Sequence, residues 1–253
     1  MSNAMPTRSR QVADYVGRLE TIKAQEHHQN KEIGDQWRTP DWLFYGVDAY
    51  VGPGRIKLDL FTDGIINSKC ANYYTARDNA LVQDWAATLF DLGDDAMAYA
   101  NPPYSIASTE DGQPLTGMVH IMRKAWEERN AGAKTVWVVK SATSETWWPV
   151  VTEEVKAVAA LTGMDLSQIP QADRIIHIQG RISFERPVWF RPGPGCPKAA
   201  GAGFGATILI FDKTLPPVPG DLYIHRDHLK SLGEHRLSEV RKEIDRAMEE
   251  EEI

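Results

Sequence analysis

From Arg55 onward, short apolar segments alternate with segments of helical periodicity, and few architectures accommodate that alternation. The candidate strands are Ile56 to Phe61, Ala71 to Tyr74, Met97 to Ala100, Thr135 to Val139, Arg174 to Ile178 and Ala206 to Phe211. Between the third and fourth, Met118, Ile121, Met122, Ala125 and Trp126 make a helical stripe that ends near Asn130 and Gly132, as a crossover helix would. A further helix spans roughly Thr152 to Leu161. The pattern predicts an α/β fold with a largely parallel sheet covered by helices.

The flanks read differently. Met1-Ser2-Asn3-Ala4 before Met5 has the look of a cloning scar and is left out of fold reasoning. Residues 5–34 form an N-terminal helical unit, since Val12, Tyr15, Val16, Leu19 and Ile22 fall at helical spacing between about Arg8 and His28. It is expected to pack on something else or to join subunits. Residues 35–215 make the main domain, and residues 216–253 hold a rigid spacer, Pro216 to Gly220, and a last helix with an acidic tail. That helix carries Leu229, Leu232, Leu237, Val240, Ile244 and Met248 on one side, for docking to the domain or to a second subunit. The Pro- and Gly-rich loop from Pro187 to Gly205 is too long for a hairpin turn, and loops of that length are often functional or mobile.

With 42% hydrophobic and 25% charged residues, and no apolar run near the ~18 residues of a membrane helix, a membrane role is not expected. The two cysteines, Cys70 and Cys196, lack metal or disulfide spacing, which points to a reducing compartment, by default the cytoplasm, and to no metal. His225, His228 and His235 lack a Cys or carboxylate set and read as solvated helix histidines. A net charge of −7 is poor for binding phosphates, although Arg174, Arg181, Arg186, Arg191 and Lys198 cluster in one stretch. That stretch either meets DNA or is an ordinary loop.

The most informative chemistry follows the apolar segment Met97-Ala98-Tyr99-Ala100, where Asn101-Pro102-Pro103-Tyr104-Ser105 stands. Ligands of open α/β sheets bind beyond the carboxyl ends of strands, so the placement suits a site. Two prolines remove two backbone donors and leave carbonyl oxygens free to accept. An aromatic amine is a weak nucleophile because its lone pair is delocalised into the ring. Acceptors at the Asn101 side-chain oxygen and the Pro102 carbonyl would hold its two hydrogens and favour a tetrahedral nitrogen, with Tyr104 stacked on the base.

This tetrapeptide resembles the [Asp/Asn/Ser]-Pro-Pro-[Tyr/Phe/Trp] motif of amino-methyltransferases. The wider pattern is similar to the Dam-like DNA N6-adenine methyltransferases of phages and prophages. The matching pieces are Gln36 to Pro40 with Leu43-Phe44, Leu58 to Phe61, Asn67 to Cys70, Asp78 to Leu81 with Asp84-Trp85, Asn101 to Ser105, Gly180 to Phe184, and Phe204 to Ala206. They cover residues 35–212 or so. The resemblance implies a Rossmann-like methyltransferase fold: a mostly parallel, seven-stranded-type sheet with an antiparallel edge strand, helices on both faces and helical extensions at both ends. It implies S-adenosyl-L-methionine as cofactor and DNA as partner.

By the same resemblance, Asn101, Pro102, Pro103 and Tyr104 are catalytic. Thr39 and Pro40 contact the methionine part of the cofactor, Asp59 with Leu60 ends the first strand and receives its amino group, and Asp78 meets its adenine or ribose. Ser105, Trp147, Arg181 and Phe184 are substrate contacts, with Phe184 placed to stack on a flipped base and Arg181 to meet phosphate. Trp147 and Trp148 either line the pocket, touch DNA or pack in the core. The usual Phe-x-Gly-x-Gly after the first strand is absent, and Leu60-Phe61-Thr62-Asp63-Gly64 stands in its place. Other amino acceptors, such as cytosine N4, RNA adenine or a protein glutamine, share the tetrapeptide, and a decayed, purely DNA-binding chain would keep the fold.

Overall fold

In the computed structural model, which describes residue 15 and residues 17–105, 108–110, 113–151, 153–197 and 205–251, every one of the six apolar segments becomes a strand. In chain order the strands are β1 (Ile56–Asp59), β2 (Asn72–Tyr73), β3 (Met97–Ala100), a small antiparallel pair β4 (Ser108–Glu110) and β5 (Gln113–Thr116), then β6 (Thr135–Lys140), β7 (Arg174–Gln179), β8 (Ala206–Phe211) and β9 (Leu222–His225). The helices are α1, described over residues 17–23, α2 (Asp41–Val51), α3 (Trp85–Leu92), α4 (Met118–Ala131), α5 (Glu153–Thr162) and α6 (Arg226–Glu251). Val12, Val16, Lys198 and Phe204 lie outside the described residues.

Among the described residues the main sheet has seven strands in the order β2-β1-β3-β6-β8-β7-β9, and β8 alone runs against the others. The reversed strand was expected at the edge. It lies inside instead, because β8 pairs back along β7 on one side and along β6 on the other, while β9 adds in parallel beyond β7. An antiparallel return needs no crossover helix, and the described residues between β7 and β8 form none.

Both faces of the central strands are apolar. In β6, Trp137 and Val139 face one layer while Val136 and Val138 face the other, and β3 divides Ala98 and Ala100 from Met97 and Tyr99 in the same way. The first layer is filled by Trp85 and Leu89 of α3 and by Ile121, Met122 and Ala125 of α4. The second takes Leu43, Phe44 and Val47 of α2 and Leu229 of α6. Helices therefore cover both faces, as expected.

The last helix docks on α2 through two glycines. A Cβ on Gly233 would stand 1.8 Å from the Trp42 carbonyl oxygen, and one on Gly46 would stand 2.4 Å from that of Leu229. Only side-chain-free positions let the two backbones approach this closely. Asp48 adds a buried ion pair with Arg236 (3.3 Å). Further along α6 the stripe leaves the body, with Ile244 and Met248 exposed. The expected N-terminal helix ends at residue 23, short of His28, which begins a bridge to Pro192. No described helix is long and apolar enough to cross a membrane.

Candidate active site

From β1 the chain moves to β2 on one side and returns to β3 on the other, so the carboxyl ends of β1 and β3 border the switch point of the sheet. Asp59 ends β1, and Asn101 follows the last residue of β3. A cavity of ≈ 750 Å³ opens there, within the usual range for small-molecule sites. Its walls come from Asp35 to Thr39, the loop after β1, Thr75, Ala76, Asn79 and Ala80, then Asn101, Pro103 and Ser105, with Tyr15, Arg18 and Leu19 beside them.

Several predicted residues meet in this cavity. Thr39 is buried and shares a 2.6 Å hydrogen bond with the Tyr99 hydroxyl. Asp59 accepts from the backbone N–H groups of Lys69 (3.0 Å) and Phe61 (3.3 Å), and burial pushes its carboxyl up to about 6 against the pull of those two donors. Leu60, Asn101, Pro103 and Ser105 line the wall beside it. The Asn101 amide nitrogen donates to the Trp37 carbonyl (3.0 Å), and the Tyr104 N–H donates to Asp35 (2.8 Å). Two bonds thus tie the tetrapeptide to the segment that precedes α2.

Other predicted residues lie elsewhere. Pro40 is the N-cap of α2, and neither it nor Pro102 lines the cavity. Asp78 faces solvent and accepts from the Thr75 N–H (2.8 Å) and hydroxyl (2.7 Å), so it closes a turn whose neighbours, Thr75, Ala76 and Asn79, line the wall in its place. The Tyr104 hydroxyl accepts from the Lys140 N–H (2.7 Å), the Lys140 ammonium sits 4.3 Å from the ring centre, and Trp147 packs at 6.5 Å. That ring belongs to the wall's support, with burial holding its phenol above the ordinary range. Trp147 and Trp148 pack against the same core layer rather than the cavity. Phe184 is buried at 4% exposure in the α2 layer, where no base can reach it, because an apolar ring next to a sheet gains more from the core than from solvent. Arg181 is exposed and away from the cavity, its carbonyl accepting from Arg226 (3.4 Å).

The DNA N-6-adenine-methyltransferase (Dam) family matches residues 26–235. The chain belongs to that family. It is also 50% identical over 90 residues to the candidate methyltransferase YfdM of Escherichia coli (strain K12), an overlap of 36% of this chain and 93% of that one. Among solved structures, a candidate class I S-adenosylmethionine-dependent methyltransferase from Listeria monocytogenes aligns with a TM-score of 0.35 and 11% identity, covering 91% of this chain and 78% of that one.

This Dam-family chain is a methyltransferase, and its cofactor is S-adenosylmethionine. The cavity suits such a molecule, having apolar wall at Leu60, Phe61 and Ala80 and three buried polar atoms without partners, Arg38 Nε, Asn67 Oδ1 and Ser105 Oγ. Buried polar atoms are rarely left unmatched in folded proteins, and all three belong to residues of the cavity wall. Among the described residues no group of three His, Cys, Asp or Glu is arranged to hold a metal ion.

Sequence reasoning missed part of this wall. Arg38, Asn67 and Lys69 lie in stretches matched to the family but carry no role in the sequence reading, which expects α1 only to pack or to join subunits. Its helix is held over the cavity by long-range contacts: Lys23 lies 3.5 Å from Asp63, and Asp63 accepts from the Trp189 indole (2.8 Å). Buried His28 locks the same clasp, its Nδ1 accepting from the Arg191 N–H (2.9 Å) and its Nε2 donating to the Ile22 carbonyl (2.8 Å). No local pattern announces such pairings.

Proposed function

We propose that this chain transfers the methyl group of S-adenosylmethionine to N6 of adenine in DNA, with the target base turned out of the duplex. The observation that carries the reading is the orientation of Asn101. Its amide nitrogen is occupied by the Trp37 carbonyl, so its oxygen is the atom left to accept from a substrate amine. The adjoining prolines have no N–H to compete for that role.

The cofactor supplies an electrophilic methyl on a sulfonium sulfur. The chain's own work is to bind, orient and desolvate. Asn101 and the Pro102 carbonyl accept the two N–H groups of the amine and stabilise positive charge as it develops on nitrogen. The Ser105 hydroxyl, buried on the cavity wall, offers a further contact to the base edge. Asp59, with two backbone donors and lone pairs to spare, receives the ammonium end of the cofactor. An amine stacked within a duplex cannot enter a concave site in the protein, which is the reason for extrusion of the base. Tyr104 acts here through the wall it supports.

The test is incubation with unmethylated DNA and labelled cofactor, digestion to nucleosides, and mass identification of the product. N6-methyladenine is expected, and Asn101→Ala should abolish it while binding S-adenosylhomocysteine as the parent does. Label on cytosine or on protein, or full activity in Asn101→Ala, would overturn the assignment.

A further inference from the structure

Of the side chains that line the cavity, Arg18 alone is exposed, so it stands at the mouth rather than deep in the wall. It is also the cavity cation that the fold leaves without a counter-ion. Arg38 pairs with Glu185 and Lys69 with Asp41, each at 2.5 Å, whereas no carboxylate pairs with Arg18 among the described residues. The backbone beneath it is fixed on both sides. On the N-terminal side the Tyr15 hydroxyl accepts from the Gln36 amide at 3.3 Å. On the C-terminal side the Lys23 ammonium lies 3.5 Å from the Asp63 carboxylate and donates to the Asp63 carbonyl at 3.4 Å. Tyr15, Arg18 and Leu19 fall at i, i+3 and i+4, so one helical face turns toward the cavity and carries Arg18 to its lip.

We infer that Arg18 binds a backbone phosphate of the nucleotide whose base enters the cavity, and so positions the acceptor rather than the cofactor. The inference rests on the reading of DNA as the acceptor. A base carries no full charge and can enter such a cavity, but burying its unpaired phosphate would be far costlier. The phosphate therefore stops at the mouth, where the free guanidinium stands. A chain with a net charge of −7 repels a polyanion on average, so an unpaired cation at the entrance answers a local need that the paired Arg38 and Lys69 do not meet. A guanidinium offers a phosphate two parallel N–H donors, and one whose helix is already anchored gives up less freedom in binding. The Arg-rich stretch that the sequence offers for this role is partly engaged within the fold. Arg174 donates to the Asp173 and Pro216 carbonyls, and Arg186 donates to Asn30 and the Pro197 carbonyl.

The test follows the anisotropy of a labelled, unmethylated duplex bound by the full chain saturated with S-adenosylhomocysteine, over a series of salt concentrations. Arg18→Gln removes the charge, Arg18→Lys restores it, and Arg246→Gln removes an equal charge on the part of α6 that leaves the body; thermal melting shows that each variant is folded. Loss of one phosphate contact should lower the slope of log affinity against log salt by about 1 and weaken binding roughly three- to tenfold near 0.1 M salt, whatever the duplex sequence. Arg18→Gln should show both effects and raise KM for DNA by a similar factor with kcat unchanged, while Arg18→Lys and Arg246→Gln keep the parent slope. Calorimetry should find S-adenosylhomocysteine bound by Arg18→Gln within about twofold of the parent. A tenfold loss there would place Arg18 on the cofactor carboxylate and overturn the inference. An unchanged slope in Arg18→Gln, or an equal drop in Arg246→Gln, would overturn it as well. If the parent neither binds nor methylates DNA, the reading of the acceptor falls and takes the inference with it; if the parent methylates DNA and Arg18→Gln matches it in slope and KM, the phosphate assignment alone is wrong.

Discussion

If Asp59 receives the cofactor ammonium as proposed, cofactor binding depends on pH in a direction that follows from its burial. The carboxyl is at 3% exposure and titrates at about 6 rather than 3.8. The folded chain thus holds this proton more tightly than the unfolded chain does. The group's contribution to stability is greatest below pH 4 or so and declines as pH rises through about 6. Cofactor affinity runs the opposite way, because an ammonium ligand needs the ionised form. At pH 5, about one unit below the titration point, roughly nine in ten sites are protonated, whereas at pH 7 roughly one in ten is. S-adenosylhomocysteine, whose charges are constant over that interval, should therefore bind about tenfold more weakly at pH 5 than at pH 7, a difference of about 1.4 kcal/mol. Calorimetric titration across the interval measures it directly. Asp59→Asn should bind more weakly throughout and show no slope. A flat profile in the parent, or a slope that persists in Asp59→Asn, would refute the argument.

Two further outcomes follow from the packing. Gly233→Ala drives a Cβ against the Trp42 carbonyl, a backbone atom that no rotamer change can move, and should cost about 1–3 kcal/mol in urea unfolding even though alanine is the better helix former. Asp78→Ala opens an exposed turn and should cost about 1 kcal/mol of stability while S-adenosylhomocysteine affinity stays within about twofold, an affinity loss of tenfold being evidence for a ligand contact after all.

The sheet was legible because its central strands are buried on both faces and so read as plain apolar runs, with Met97 to Ala100 and Thr135 to Val139 the clearest. Elements with one wet face or none dry were not. In β9, Leu222-Tyr223-Ile224-His225 buries only Ile224, and its Pro-rich approach reads as a spacer. The β4–β5 pair is mostly polar and gave no signal. The placement of Asp59 and Asn101 at the cavity was readable because they stand where apolar runs stop, and strand ends at a switch point border a crevice. Phe184 and Asp78 show the converse. The depth of one ring, or the partner of one carboxylate, is decided by the fold around it, and neighbouring letters look alike whether the side chain turns inward or out.

The segment from Asp35 to Thr39 joins the two halves of the chemistry. Its Asp35 carboxylate holds the Tyr104 N–H, its Trp37 carbonyl sets the Asn101 amide, and its Thr39 hydroxyl is bound to Tyr99 at the end of β3. The same five residues present Arg38 to the cavity and pair with Glu185 on the loop after β7. A displacement of this segment would therefore turn the Asn101 oxygen as well as alter the cofactor wall. The α1 clasp, through Tyr15 and its 3.3 Å contact with Gln36, rests on that very segment. The N-terminal helix is thus in contact with the piece of chain that holds Asn101 and forms one wall of the cavity.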